Sequence, residues 1–266
     1  MLSPLLLCLS LTLSAATPAE VPDLVVMTYN IHHGEGLDGV VDLERIAAVA
    51  LDAGADVVCF QEVDKNLPRT KKRDMPVLLG EILKMECVFG ANYYFDGGEY
   101  GNAIATKLPV LKSFNTALPN PNNKEPRGCL SVTVEWLGRP VDILCTHLGL
   151  TGIERLAQSE TIADLPDENP CILAGDMNER IDAPGMKLLL EKMQVSLDQE
   201  EEPIMGSIPT ESPKSRIDLI FASKDLEITS SRVIQDDRTK VASDHLPCVA
   251  TFKFKEDSDG GKEEKE

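Results

Sequence analysis

Positive charge is scarce in this chain. Its 266 residues hold 44 acids against 26 lysines and arginines, a net charge of −18. A protein that grips nucleic acid without regard to sequence carries the opposite sign, because phosphate neutralisation drives its affinity. The balance counts against a DNA-clamping surface, while leaving room for a small basic pocket on an acidic body. Aromatic residues are also few, at 5%, too sparse for an extended base-stacking platform. There is no long amphipathic stretch suited to lie in a membrane interface. No Cys-x-x-Cys pair suggests structural zinc. No lysine or arginine precedes Arg45, so an export leader would rely on the α-amine alone for its positive end.

Such a leader is nonetheless expected. Leu5 to Leu13 is apolar, and Ser14, Ala15 and Ala16 follow, a pattern that fits a signal peptide over residues 1–19 cut near Ala16 or Ala19. The run is too short to span a bilayer. The expectation is a secreted or periplasmic protein with no stable membrane span in its mature form, one domain over residues 21–255, and a disordered acidic tail over 256–266. That tail holds six acids and two lysines. Losing Cys8 with the leader leaves six cysteines, an even number that invites a disulfide reading. However, Cys59, Cys145, Cys171 and Cys248 lie inside apolar runs, where free thiols pack as small hydrophobes.

The hydrophobic share of 42% and the length suit one large core. Leu24 to Tyr29, Asp56 to Gln61, Ala103 to Thr106, Leu130 to Trp136, Val141 to Thr146, Cys171 to Ala174, Ile217 to Ala222 and Val249 to Phe254 read as strands. Helical spacing marks Asp42 to Ala53, with Asp42 as N-cap and Gly54 as stop, and also Pro76 to Met85, Gly152 to Leu165 and Pro184 to Met193. Long apolar strands mixed with helices imply an α/β protein whose sheets are covered on both faces.

Short polar motifs sit at the ends of these strands. They are Thr28-Tyr29-Asn30-Ile31, Gln61-Glu62-Val63-Asp64, Thr146-His147-Leu148, Gly175-Asp176-Met177-Asn178, Arg216-Ile217-Asp218-Leu219-Ile220 and Ser243-Asp244-His245-Leu246-Pro247. Singly, each has an ordinary explanation: a strand-end acid is usually solvated, and Gly, Asp and Asn form turns. Together they supply carboxylates, amides and two of the four histidines. Hard cations such as Mg²⁺ or Mn²⁺ take oxygen ligands of the kind Asn30 and Glu62 offer. Asp176 suits a water-activating base, and Asn178 a donor to a phosphate oxygen as charge develops. Asp218 is a candidate to hold the His245 ring and raise its basicity.

In these motifs, and in their order, the chain resembles the endonuclease/exonuclease/phosphatase superfamily over roughly Leu24 to Phe254. The resemblance implies a four-layer α/β sandwich, two mixed β-sheets packed face to face and flanked by helices, with the site at one rim. It implies that Asn30 and Glu62 flank an essential Mg²⁺ (Mn²⁺ as the alternative) and that Asp244 serves the metal shell or orients its neighbour. Asp176 would position the water, Asn178 would contact the phosphate, and His147 and His245 would contact the scissile group, with Asp218 behind His245. Two further family-like stretches, Glu99-Tyr100-Gly101-Asn102-Ala103-Ile104 and Pro126-Arg127-Gly128, offer Asn102 and Arg127 as substrate contacts, although turn or surface roles compete. Two departures, His32 where the abasic-site branch has an acid and Leu219 where an aromatic is frequent, point away from that branch. The opening Thr28 to Gly34 is closer to bacterial exported members.

The expected function is therefore hydrolysis of a phosphoester, most simply a phosphodiester, by a directly activated water. Arg69-Thr70-Lys71-Lys72-Arg73 is either a solvated loop or a phosphate-attracting lip in which Arg69 binds substrate. The substrate is expected to be lipid-linked, small-molecule or nucleic acid, and the protein a monomer. A nuclease acting on DNA or RNA is the alternative within the class. A non-catalytic module binding a phosphorylated ligand is the alternative outside it. A calcineurin-like centre would need an early Asp-x-His and a Gly-Asn-His box, and the chain has neither.

Overall fold

The computed structural model describes residues 22–166, 168–197 and 204–256. The expected signal peptide, and the tail beyond Glu256, lie outside the described residues. The strands are β1 (Leu24–Asn30), β2 (Val57–Lys65), β3 (Glu86–Phe95), β4 (Gly98–Thr106), β5 (Val110–Ala117), β6 (Gly128–Trp136), β7 (Arg139–His147), β8 (Cys171–Asp176), β9 (Met193–Val195), β10 (Asp218–Ser223), β11 (Leu226–Val233) and β12 (Cys248–Phe254). The helices are α1 (Leu43–Asp52), α2 (Met75–Leu83), α3 (Gly152–Ala163), α4 (Pro184–Lys192) and the single turn α5 (Thr239–Ala242).

Two six-stranded sheets result, ordered β11-β12-β1-β2-β4-β3 and β5-β6-β7-β8-β10-β9. Both are mixed: β1 runs parallel to β2, and β7 parallel to β8, among otherwise antiparallel pairs. The apolar runs are continuous because both faces of the central strands are buried. In β2, Val57 and Cys59 face the other sheet, where they meet Val132, Ile143, Ile172 and Ile220. Val58 and Phe60 face outward onto Ile46 and Val49 of α1 and Leu79 of α2. The second sheet does the same, with Leu173, Leu219 and Phe221 turned toward Ile162 of α3 and Met186 and Leu189 of α4. Fully burying each such side chain is worth roughly 1.5–3 kcal/mol. The result is the four-layer sandwich.

The helix signals act as expected. Asp42 accepts the Arg45 N–H at 2.9 Å, and Gly54 follows α1 with φ +71°, a left-handed turn that favours glycine. Thr151 and Glu154 form a reciprocal capping box at the start of α3. The sequence reading omits β3, β5, β9 and β11, and these are the four edge strands of the two sheets. Between them β5 and β11 bury a single residue fully, so no apolar run marks them. Among the described residues the six cysteines are unpaired, and all but Cys87 are buried. No described helix is long and apolar enough to cross a membrane.

Candidate active site

The polar motifs collect at one rim, and in the second sheet the hydrogen-bond ladder places them directly. His147 is the cross-strand partner of Asp176 between β7 and β8, and Asp218 is the partner of Asp176 between β10 and β8. Directly opposed residues share a face of the sheet, so three site residues stand in one row across three strands. Close approach makes Gly175 necessary: a Cβ there would lie 2.1 Å from the Thr146 carbonyl oxygen.

His245 reaches this row from the segment between α5 and β12. Ser243 Oγ donates to the Asn30 carbonyl at 2.8 Å and accepts the His245 N–H at 3.4 Å, tying that segment to the end of β1. His245 Nδ1 lies 2.8 Å from Asp218 Oδ2, and its Nε2 is 3.7 Å from Asp176 Oδ2. His147 Nε2 is 3.4 Å from the same oxygen. Two imidazoles thus converge on one carboxylate.

The first sheet contributes through irregular backbone. The β2–β4 register shifts between Phe60 and Val63, and inside that bulge Glu62 has φ +60°. A left-handed residue with a side chain is strained by about 1–3 kcal/mol, held here by the surrounding sheet. Asn30 Nδ2 donates to Glu62 Oε1 at 3.1 Å and to Asp176 Oδ2 at 3.0 Å, linking the acids of the two sheets. Its Oδ1 accepts the His32 N–H at 3.1 Å.

Electrostatics divides the groups. Burial, with the Asp218 carboxylate nearby, pushes the Asp176 carboxyl up to about 7, against the opposing pull of His245 and the Asn30 and Asn178 hydrogen bonds. Burial alone would lower His245, but Asp218, then Asp176 and Asp244, outweigh it and raise the imidazole to about 10. His147 goes the other way: burial first, then Arg127 and His245, holds it well below its ordinary value. Arg127 Nη1 lies 3.2 Å from His147 Nδ1, and a guanidinium can only donate. The neutral His147 ring therefore carries its proton on Nε2, facing Asp176.

Glu62, Asp176, Asn178, His147, His245, Arg69 and Arg127 all line one cleft of about 310 Å³. Asn178 has φ +51°, donates its N–H to Asp176 Oδ1 at 2.9 Å and gives one amide proton to the Leu148 carbonyl at 2.9 Å, leaving the other for a ligand. Asp218 stands behind His245, and Asn30 beneath the acids. One placement corrects the expectations. Asn102 is not part of the lining: its Nδ2 bridges to the Gly128 and Cys145 carbonyls at 3.0 and 3.3 Å, joining β4 to the opposite sheet. Asn30 lies at the expected rim, its amide nitrogen donating to both acids. Asp244 is half-buried and outside the cleft lining, and its charge helps to raise its neighbour His245.

Of the basic stretch, only Arg69 reaches the cleft; Lys71 and Lys72 are exposed. Arg69 is gripped by the buried Asp64 at 2.8 and 2.6 Å and lies over the rings of Phe95 and Tyr100. Phe95, Tyr100, Glu125 and Leu150 complete the lining, and none is among the expected site residues. Tyr100 had a signal, standing two residues before Asn102 in a strand. Glu125, paired to Arg127 at 2.7 Å, comes from a loop with no periodicity to mark it.

Asp176, Asp218 and His245 offer ligand atoms within 4.8 Å of one another, a group that could hold a metal ion. Asp218 Oδ1 is buried without a hydrogen-bond partner, an atom that a cation or its water would satisfy. With Glu62 alongside, the donor set is mainly carboxylate oxygen and suits a hard divalent cation.

Two face-to-face sheets carrying paired imidazoles and carboxylates at one rim define a metal-dependent phosphoester hydrolase. Residues 27–245 match the endonuclease/exonuclease/phosphatase family, and the chain belongs to it. Among curated proteins it is similar to the uncharacterized protein YbhP of Escherichia coli K12, 26% identical over 246 residues, covering 85% of this chain and 94% of that protein. Among solved structures, it is similar to an endonuclease/exonuclease/phosphatase from Beutenbergia cavernae, with 28% identity, TM-score 0.75, and coverage of 87% of this chain and 72% of the other. The catalytic domain of human Nocturnin with bound sulfate shares the fold at 20% identity and TM-score 0.70, covering 88% of this chain and 96% of its own.

Proposed function

We propose that the protein hydrolyses a phosphodiester by attack of water activated at Asp176, with Mg²⁺ as its metal. The observation that carries this reading is the convergence of His147 Nε2 and His245 Nε2 on Asp176 Oδ2, at 3.4 and 3.7 Å. Asp176, pushed up to about 7, is matched to taking a proton near neutral pH. His147, fixed by Arg127 with its proton on Nε2, donates to a non-bridging phosphate oxygen. His245, kept protonated by Asp218, places positive charge where the phosphate becomes more negative. Asn178 supplies a further N–H, and Arg69 and Arg127 bind the anion. Glu62 and Asp176, with Oδ1 of Asp218 alongside, would hold the divalent cation. When bound, that ion supplies Lewis-acid stabilisation of the phosphoryl and leaving-group oxygens. Water is the nucleophile in this reading, so no serine or cysteine attack is required.

The test is turnover of bis-p-nitrophenyl phosphate with Mg²⁺ and with Mn²⁺. Asp176→Ala is expected to lower kcat by about 10³-fold or more, beyond the ordinary 10²–10⁴ range's lower end for a general base. Retained turnover in folded Asp176→Ala protein would remove the proposed base.

A further inference from the structure

Arg69 is held at the cleft wall more firmly than a surface cation would be. Its Nε and Nη2 donate to the two oxygens of Asp64 at 2.8 and 2.6 Å. The Asp64 side chain is fully buried, whereas that of Arg69 is 40% exposed and lines the cleft. The same carboxylate accepts from Thr70 Oγ1 at 3.2 Å, and the Lys72 N–H closes the loop onto the Leu67 carbonyl at 2.9 Å. Strand pairing sets Asp64 directly opposite Tyr100. The guanidinium lies 5.5 Å from the ring centroid of Tyr100 and 5.6 Å from that of Phe95. Backbone register, a buried acid and two rings thus fix one side chain.

A buried carboxylate held by one guanidinium is a poor device for stability alone, because desolvation offsets much of the attraction. The donors point to a different use. A guanidinium carries five N–H groups in a planar fork. Two go to Asp64, and among the described residues no other group takes the rest. Nε and Nη2 form the inner edge, against the buried acid. The outer edge, Nη1 with the second hydrogen of Nη2, is left for the cleft and matches two oxygens of a phosphate. We propose that Asp64 is a positioning residue that presents this outer fork of Arg69 to the phosphate of the substrate. The proposal rests on the phosphoester-hydrolase reading and deepens it: a positive charge at position 69 does not suffice, and its fork must be set in advance by Asp64. Holding the side chain before the substrate arrives removes the cost of ordering it on binding.

The experiment compares Asp64→Asn, Arg69→Lys and the double variant with the wild type. Binding of inorganic phosphate is measured by calorimetry, and kcat and KM on bis-p-nitrophenyl phosphate, both with Mg²⁺. Asp64→Asn is expected to raise the phosphate Kd and the KM about tenfold, the scale of ordering one long side chain, with kcat changed less than about threefold. Arg69→Lys keeps the charge and loses the fork, and is expected to raise both by a similar factor. The double variant should match the weaker single variant within about twofold, because both act through one contact. Unchanged Kd and KM in Asp64→Asn with only a lower Tm, wild-type values in Arg69→Lys, or effects that multiply in the double variant would each overturn the proposal. Should Asp64→Asn fail to fold, Asp64→Glu, which keeps the charge and displaces the fork by one methylene, takes its place with the same expected rise. If the wild type turns over no diester with any divalent metal, the hydrolase reading falls, and the phosphate Kd values then judge Asp64 by the same criteria.

Discussion

The two sheets build their halves of the site by opposite means. The second sheet delivers His147, Asp176 and Asp218 from three neighbouring strands in unbroken register. The first delivers Glu62 from a bulge, with a left-handed backbone, and Asn30 from a strand end followed by two further left-handed residues, His32 and His33. The regular half carries the groups proposed to exchange protons, whose distances would have to be held tightly for transfer. The strained half carries the acid that would face a cation, where bulges commonly re-aim a side chain.

The sharpest way to break this comparison is to remove the partner of His245. Asp218→Asn keeps the shape of the row and takes away the charge that raises the imidazole. The expected loss is about 10²–10³ in kcat, with a change in the pH profile that a packing defect would not give. In the wild type, kcat/KM should climb as Asp176 loses its proton through about 7 and decline as His245 loses its own toward about 10. The variant should bring the alkaline limb down toward neutrality. Stability is expected to follow the same groups. His245, raised in the fold, stabilises fully below its ordinary value of 6.5 and loses that contribution as pH rises toward about 10. Asp176, also raised, opposes folding increasingly as pH climbs from its ordinary 3.8 through about 7. Urea titrations at several pH values check both signs.

Glu62→Gly tests the strained half. Glycine relieves the left-handed backbone, so stability should hold or improve by about 1 kcal/mol, while the Mg²⁺ concentration for half-maximal activity rises at least tenfold. A loss of stability with unchanged metal response would reverse the roles assigned to the two sheets. The smallest kinetic effect is expected behind the cleft. Asn102→Ala removes two hydrogen bonds between the sheets and should cost about 1–3 kcal/mol by chemical denaturation. Its KM should stay within about twofold; a large KM change would return Asn102 to the substrate.

The same contrast governs what the chain discloses before folding. Val57 to Phe60 and Ile172 to Leu173 are apolar at every position because each faces a layer, so the eight inner strands are readable. Phe114 in β5 is 71% exposed and Tyr94 in β3 is 69% exposed; edge strands like these, bonded on one side, leave no such record. His147, Asp176, Asp218 and His245 were legible because each ends an inner strand or adjoins one. Orientation was not legible. Whether an amide turns inward, as Asn102 does, depends on partners remote in sequence. Glu125 and Leu150 come from loops whose course is set by contacts such as the Asn122 amide to Thr151 Oγ1 at 2.9 Å.

The row of His147, Asp176 and Asp218 also separates two problems that an enzyme must solve at one place. Because strand pairing fixes these groups from below, the loops above them are free to be rewritten in length and character without disturbing the row. The segments around Leu150 and Arg69, which line the cleft, could be exchanged while the row beneath them stayed in place.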